Sequence, residues 1–114
     1  MSGVPFRVDG KGRVLVGWMS RDRAYWSISD EAGQRFAPRT PAPGDGQADQ
    51  AYPVAVANPK GEVLLVWKQG QEVRWAVYGR DGSFAGRQGK AGELPGRNKP
   101  TAFVGADGTF YVMF

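Results

Sequence analysis

Apolar and polar residues alternate along much of the chain, and short turns rich in Gly, Pro and Asp separate the alternating stretches. Ala24 to Ser29 and Val73 to Tyr78 follow a period of two, which is typical of β-strands. Arg13 to Trp18 and Val63 to Trp67 are nearly continuous apolar runs, which favour strands buried on both faces. No segment has the spacing of an amphipathic helix, so the chain is predicted to be all-β.

The same pattern predicts eight to ten strands joined by short turns. Pro38 to Gln50 is predicted to be a loop, and Ser83 to Gly96 a loop with one weak edge strand. The remaining predicted strands are Pro5 to Val8, a short outer strand beginning at Phe36, Pro53 to Ala57, Thr101 to Val104 and Thr109 to Phe114.

The chain also repeats itself, because the stretch from Gly12 to Gly33 returns 49 positions later as Gly61 to Gly82. Part of the unit starts a third time, at an offset of 47, and includes Pro100 and Phe114. A period near 48 with Gly and aromatic markers is typical of stacked β units such as propeller blades. The pairs at the first offset are Gly12 and Gly61, Val14 and Val63, Leu15 and Leu64, Trp18 and Trp67, Trp26 and Trp75, and Gly33 and Gly82.

The repeat predicts one domain over residues 1–114, with units at 4–40 and 52–96 and a partial unit at 98–114. Each full unit is predicted to be a four-stranded antiparallel meander whose outermost strand is the faintest. About two and a half units form an incomplete ring, since propellers close with roughly four to eight blades. A β-sandwich or small barrel is the alternative. One unit cannot bury its apolar face alone, so the expected partner is a second copy or the remainder of a longer propeller.

The composition of the chain excludes several kinds of functional site. The absence of Cys excludes disulfides and thiolate sites, and the absence of His removes the commonest general base and zinc ligand. The net charge is +4, but the 15 basic residues are interspersed with 11 acidic ones, which does not favour nucleic acid as a partner. No apolar run approaches membrane-spanning length, and no signal peptide is predicted. Neither a cofactor nor a metal site is predicted.

The turn after the first alternating strand carries the most specific motif. It resembles the Asp-box of sialidase-like (BNR-repeat) propellers, which reads Ser, any, Asp, any, Gly, any, Thr, aromatic. Ser29, Gly33 and Phe36 match this pattern, Glu31 stands at the Asp position, and Asp30 lies one place earlier. An Arg stands where the motif has Thr.

In that family the Asp-box is a structural staple away from the active face. A carboxylate and a hydroxyl accept backbone N–H groups that a sharp turn leaves unpaired, and Gly supplies a positive φ. The resemblance therefore implies that Ser29, Asp30, Glu31, Gly33 and Phe36 serve the fold rather than a reaction.

Phe6-Arg7-Val8 is similar to the Phe-Arg-Ile-Pro segment of sialidases, whose Arg binds the substrate carboxylate. Arg7 is therefore a candidate ligand contact, although Asp9 stands where that segment has Pro, and a solvated residue at a strand end is the alternative. Arg21 and Asp22 lie on a turn where further groups of such a site could stand. Two and a half blades, however, cannot surround a substrate from all sides.

The repeated Trp residues suggest a different kind of site, because the apolar face of a sugar stacks well on an indole ring. Trp26 and Trp75 are the candidate contacts, and the alternative is that they fill the space between blades. Tyr25, Arg74 and Tyr78 are predicted to point away from the buried side of their strands and to form exposed contacts.

The sequence thus predicts a non-catalytic structural or binding module that resembles sialidase/BNR-repeat propeller blades. One alternative is a carbohydrate-binding, lectin-like module that oligomerises into a ring, with a glycan as its ligand. Another is a piece of a sialidase-type glycoside hydrolase. The compartment stays open, although the resemblance implies an extracytoplasmic parent protein.

Overall fold

The computed structural model describes residues 6–30, 32–44 and 48–114, and in these residues the chain is all-β without any helix. Ten strands form three separate antiparallel sheets, with the orders β1-β2-β3-β4 in sheet 1, β5-β6-β7-β8 in sheet 2 and β9-β10 in sheet 3. This confirms the predicted all-β class and the four-stranded meanders, and the described strands do not close into a barrel. The strands are β1 (Phe6–Val8), β2 (Val14–Ser20), β3 (Arg23–Ile28), β4 (Thr40–Pro41), β5 (Gln50–Ala57), β6 (Val63–Gln69), β7 (Glu72–Tyr78), β8 (Phe84–Glu93), β9 (Thr101–Val104) and β10 (Phe110–Met113).

Equivalent turns of the repeat are closed by the same chemistry. In the β1–β2 turn, the Asp9 carboxylate accepts the N–H groups of Lys11 and Arg13 at 2.9 and 2.8 Å. In the β5–β6 turn, Asn58 lies 49 positions later and accepts the corresponding N–H groups, two and four residues further on, at 3.1 and 3.0 Å. A short side-chain acceptor at this position satisfies the donors that the tight turn leaves free.

One apolar core lies between sheets 1 and 2, and a second lies between sheets 2 and 3. The core between sheets 1 and 2 contains Leu15 and Trp26 from sheet 1 and Val63, Leu65 and Trp67 from sheet 2. The core between sheets 2 and 3 is made by the other side of sheet 2 and by alternate residues of β9 and β10. The apolar side chains of this second core are Val54, Val56, Leu64, Val66, Val73, Val77 and Ala102, with Trp75, Leu94, Val104, Phe110 and Val112 packed against them.

The central strand of sheet 2 is buried on both sides, as its sequence predicts, because each of its faces meets a neighbouring sheet. The equivalent prediction for Arg13 to Trp18 is wrong on one side. Leu15 is buried towards sheet 2, whereas Val14, Val16 and Trp18 stay partly exposed. No sheet of the described residues covers that side of β2.

The outer strands differ most from the sequence prediction. The segment from Ser83 to Gly96, predicted to be a loop with one weak edge strand, is mostly β8, a ten-residue strand along the edge of sheet 2. Its burial pattern is almost entirely exposed, so no apolar alternation marks it in the sequence. The loop predicted from Pro38 contains the two-residue strand β4, and Phe36 makes only an isolated bridge to Ser29. Pro5 lies outside the described residues.

Gln50 ties sheet 1, the connecting loop and sheet 2 together. Its side-chain oxygen accepts the backbone N–H of Ala24 at 2.9 Å. Its amide nitrogen donates to the carbonyl of Pro43 at 3.0 Å and to the side-chain oxygen of Gln69 at 3.2 Å. The same Gln69 oxygen accepts the indole N–H of Trp67 at 3.2 Å. Because Gln50 is only 1% exposed, these bonds replace the water that its amide would otherwise bind.

No helix in the described residues is long and apolar enough to cross a lipid bilayer.

Candidate functional site

One side of sheet 1 forms an apolar surface that no other part of the described chain covers. Leu15 points towards sheet 2, so its strand neighbours Val14 and Val16 point the opposite way. Cross-strand partners lie on the same side of a sheet, and β1 pairs with β2 while Trp18 pairs with Tyr25. We call this surface the outer face of sheet 1, and it consists of Phe6, Val8, Val14, Val16, Trp18 and Tyr25.

An aromatic cluster lies on this outer face. The rings of Trp18 and Tyr25 are stacked, with centroids 6.0 Å apart and planes at 26°. The guanidinium carbon of Arg39 lies 4.3 Å from the centre of the Tyr25 ring, which is cation–π geometry. Tyr25, predicted to be an exposed contact, is half-buried in this cluster.

The repeat identifies what is unusual about the outer face. Val63, Leu65 and Trp67 are equivalent to Val14, Val16 and Trp18, and they are 0%, 0% and 1% exposed against sheet 1. Trp18 and its two neighbours point the same way in their own sheet but remain partly exposed. Side chains of the same type and direction are therefore buried where a neighbouring sheet exists and open where none does.

A second surface, which no other part of the described chain covers, lies at the other end of the stack. Phe110 and Val112 pack into the second core, so Tyr111 and Met113 point to the opposite side of β10. Phe103 pairs with Tyr111, and their rings are stacked with centroids 5.0 Å apart. Phe103, Tyr111 and Met113 form the outer face of sheet 3 and are 45%, 44% and 54% exposed.

Arg7 lies on β1 and lines a cavity of about 480 Å³ between the first strands of the three sheets. Its guanidinium donates to Thr101 Oγ1 and to the carbonyl of Phe6, both at 3.1 Å. No carboxylate in the described ranges lies within salt-bridge distance of it. The cavity is also lined by Asp9, Lys11, Val56, Asn58 and Phe103, among others.

The structure does not bring Arg21 and Asp22 to Arg7. Both lie exposed in the β2–β3 turn, with φ of 51° and 62°, at the end of β2 furthest from the β1–β2 turn. Arg7 pairs with Leu15, and the five residues from there to Ser20 span about 17 Å at the rise of a β-strand. The three candidates of the sialidase-like site therefore do not form one cluster.

Two other candidate contacts are buried, which is contrary to the prediction for Tyr78, whereas for Trp26 a buried position was the alternative. Tyr78, expected to be an exposed contact, is 3% exposed because its side of sheet 2 packs against sheet 1. Its hydroxyl donates to the carbonyl of Pro41 at 2.9 Å, and burial raises its pKa to about 12. Trp26 is 1% exposed in the same core, so it presents no face to a sugar in this chain.

Trp75 and Arg74 lie on opposite sides of β7. Trp75 is only partly buried and lines a groove of about 290 Å³ between sheet 2 and β10. Arg74 donates to Glu72 at 2.7 and 3.0 Å, so its guanidinium already has a carboxylate partner. The bonds from Arg74 and Lys90 hold the pKa of Glu72 below its ordinary value.

The described side chains of the Asp-box-like turn form hydrogen bonds within the turn and to β2. Ser29 is buried. Its hydroxyl accepts the N–H of Val14 at 2.7 Å and donates to the carbonyl of Asp30 at 2.8 Å. The Asp30 carboxylate accepts the N–H groups two and four residues further on at 3.1 and 3.0 Å. Gly33 has a φ of 71°, and Phe36 is 48% exposed. Glu31 lies outside the described residues.

No protein-family model matches the chain, and no curated protein matches its sequence. Among the residues that the structure describes, no group of three or more acidic side chains is placed to hold a metal ion.

Sequence reasoning missed the outer face of sheet 3 and the contribution of Val14 and Val16 to the outer face of sheet 1. The signal that identifies them is the repeat itself. Aligning each position with its buried equivalent in sheet 2 shows which apolar side chains have no neighbouring sheet packed against them in the described residues. Arg39 and Gln50 had no such signal, because both fall in the segment predicted to be a loop.

Proposed function

We propose that this protein is a non-catalytic structural or binding module built from propeller-type blades, similar to those of the sialidase-like BNR-repeat group. It acts by joining further β-sheets to its two outer faces. The observation that carries the proposal is the contrast between Trp18 and Trp67, which are repeat-equivalent and point the same way but differ in burial. Trp67 is covered by sheet 1, whereas Trp18 belongs to an apolar surface of the same kind that no sheet of the described residues covers.

The two outer faces are complementary in kind. In the two cores, the Trp67 side of sheet 2 covers sheet 1, and the Phe110 side of sheet 3 covers sheet 2. The outer face of sheet 1 is equivalent to the side of sheet 2 that packs against sheet 1. The outer face of sheet 3 is equivalent to the side of sheet 2 that packs against sheet 3. One copy can therefore stack sheet 1 on sheet 3 of another, in a head-to-tail contact that forms a ring if the rotation closes. The remaining blades of a longer propeller would meet the same two faces.

Apolar exposure supports this arrangement. Phe6 and Val8 on one outer face are 62% and 60% exposed, and the three large side chains of the other outer face are each at least 44% exposed. Contiguous exposed apolar side chains of this size are typical of interaction surfaces.

The test is the mass of the protein in solution, measured by light scattering after size exclusion at increasing concentration. We expect the wild type to associate, and Trp18→Lys and Tyr111→Lys each to remain monomeric, since each places a charge in the contact. Met19→Lys is the matched control, because Met19 follows Trp18 on the same strand, points to the opposite side and is 47% exposed. It should associate like the wild type.

Mixing the two monomeric variants tests the head-to-tail geometry. Each variant retains one intact outer face, so the mixture should form heterodimers although neither variant associates alone. A wild type that stays monomeric at every concentration would contradict self-association. Loss of association in Trp18→Lys alone, with Tyr111→Lys unaffected, would point to a symmetric contact between two sheet 1 faces.

A lectin-like role is the second candidate, because the stacked Trp18 and Tyr25 rings offer an aromatic platform on which a sugar could lie. A glycan array probed with the wild type and with Trp18→Ala separates the two functions. Binding that disappears in Trp18→Ala, with the fold intact, would favour the lectin. A glycoside hydrolase is less favoured, since Arg7 is far from Arg21 and Asp22 along β2.

A further inference from the structure

In the described residues, one edge of sheet 3 is an unpaired edge of β10. Sheets 1 and 2 each continue past their second strand to a third, which pairs with β2 and β6 respectively. β10 is the repeat equivalent of β6, but in the described residues it pairs only with β9. Its other edge therefore presents backbone N–H and C=O groups to which another strand can bind.

A groove lies beside that edge and is shaped by both neighbouring sheets. It has a volume of about 290 Å³. Its walls are Leu64, Trp75 and Val77 from sheet 2 and Phe110 and Val112 from β10, with Arg87 of β8 beside them. We call this the Trp75 groove.

The corresponding place between sheets 1 and 2 is filled, and the structure shows by what. Trp26 is the repeat equivalent of Trp75, and the ring of Tyr78 on β7 packs against it with centroids 5.2 Å apart. Tyr78 belongs to the third strand of its sheet. Trp26 is consequently 1% exposed, whereas Trp75, which has no third strand beside it, is only partly buried.

We propose that the edge of β10 and the Trp75 groove together accept an extended β-strand that lies outside residues 6–114 and carries an aromatic side chain on the groove side. The backbone of the donated strand continues sheet 3 by pairing with β10, and its aromatic ring packs against Trp75 as Tyr78 packs against Trp26. The proposal rests on the proposed blade-type function and names the kind of partner that one part of it takes.

Glycine on β8 keeps the groove open. The Trp75 ring lies directly over Gly89, where an added Cβ would be 3.1 Å from two ring atoms. Such a contact is tighter than ordinary van der Waals contact, so a side chain at this position would push the indole away from β8 and towards the groove. Gly89 therefore lets the ring lie against the sheet and leaves room for the incoming side chain.

The third strand of sheet 2, β7, provides the sequence of a peptide that can test this proposal. In sheet 2, Tyr78 lies opposite Val63, and the position equivalent to Val63 in sheet 3 is Phe110. A peptide with the sequence of Glu72–Tyr78, bound to β10 in the same register, would direct its Tyr towards Trp75. We would label this peptide with a dye, add two lysines for solubility and measure its binding by fluorescence anisotropy.

We expect saturable binding to the wild type, and binding at least about tenfold weaker to Trp75→Ala or when Ser replaces Tyr in the peptide. Trp18→Lys is the matched control, because it alters an aromatic residue of the opposite end of the stack and should bind as the wild type does. It also separates this site from self-association, which the same variant abolishes under the proposed function.

Gly89→Ala is the second variant, since it disturbs the Trp75 ring without removing apolar volume and keeps the test valid if Trp75→Ala fails to fold. Circular dichroism establishes which variants are folded. No saturable binding to the folded wild type overturns the proposal, and so does equal binding to the wild type and Gly89→Ala.

Discussion

Tyr78 of sheet 2 packs against Trp26 of sheet 1 with ring centroids 5.2 Å apart and planes at 59°, and its hydroxyl donates to the carbonyl of Pro41 at 2.9 Å. One side chain thus joins sheet 2 to two strands of sheet 1.

The Tyr78 hydroxyl should make stability sensitive to high pH. Burial raises its pKa from 10.0 to about 12, against a smaller opposite effect of the nearby Trp26 indole N–H. The folded state binds this proton more tightly than the unfolded state does. The stabilisation is therefore complete below pH 10.0 and is lost as the pH rises through about 12.

Tyr78→Phe should remove this pH dependence, at a cost of about 1 kcal/mol at neutral pH for the lost hydrogen bond. Urea unfolding of both proteins at neutral and alkaline pH measures the effect. A wild type and Tyr78→Phe variant that lose stability in parallel above pH 10 would contradict the assignment.

Gly17 should be required where sheet 1 meets sheet 2. An added Cβ would lie 2.8 Å from the carbonyl oxygen of Pro53, and that backbone has no flexible end that could move aside. Gly17→Ala should therefore lower the free energy of unfolding by about 1–3 kcal/mol. Gly10→Ala is the control, because nothing lies within 4 Å of a Cβ built there. Similar urea midpoints for the two variants would mean that the sheets separate easily at this point.

Gln50→Leu should destabilise the contact between sheets 1 and 2, although leucine is more apolar than glutamine and the site is buried. It leaves the buried N–H of Ala24 and the partly buried carbonyl of Pro43 without their partner. An unpaired buried group costs about 1–3 kcal/mol, so we expect a loss of at least about 1 kcal/mol in urea unfolding. Gln71→Leu, at an exposed glutamine, should be close to neutral.

Asp9 should make stability sensitive to acid. Burial opposes its ionisation, but the N–H groups of Arg13 and Lys11 and the Arg13 guanidinium at 2.7 Å outweigh this effect and lower its pKa. Its stabilisation is present above the unfolded pKa of about 3.9 and is lost as the pH falls through the lower folded value. Asp9→Asn should cost about 1 kcal/mol at neutral pH and flatten the acid dependence measured by urea unfolding.

Asn58→Asp is the matched exchange in the equivalent turn and should behave in the opposite way. Asn58 donates to the Glu62 carboxylate at 2.8 Å, so an aspartate there would face a like charge. We expect the variant to be destabilised at neutral pH and to recover relative to the wild type in acid, where a shared proton restores the bond. Parallel acid profiles for the two exchanges would show that the side-chain partner does not matter.

The strands that could be predicted are those whose own residues alternate or form an apolar run. The Thr101 to Val104 prediction matches β9, and the predictions for β5, β6 and β7 differ from the structure by at most three residues at either end, because apolar side chains mark these strands. β8 was predicted only as one weak edge strand, and its length of ten residues could not be predicted in the same way. It is an edge strand with exposed Gly and charged residues, and its pairing with β7 rather than its own pattern makes it a strand.

The candidate binding surfaces were predictable only in part. Tyr25 and Tyr78 carry the same alternation signal on equivalent strands, yet one is half-buried on an outer face and the other is 3% exposed in a core. Period-two patterning tells which side chains share a face, and it does not tell whether a neighbouring sheet covers that face.

By itself the amino-acid sequence determined the all-β class, the position of the central strands and turns, and the equivalence of residues 49 positions apart. These follow from local alternation, turn residues and repetition, which act over a few residues at a time. Only the tertiary structure decided which of two equivalent residues is buried. Burial depends on the presence of a neighbouring sheet, and for Trp18 and Trp67 that neighbour, rather than the residue or its strand, makes the difference.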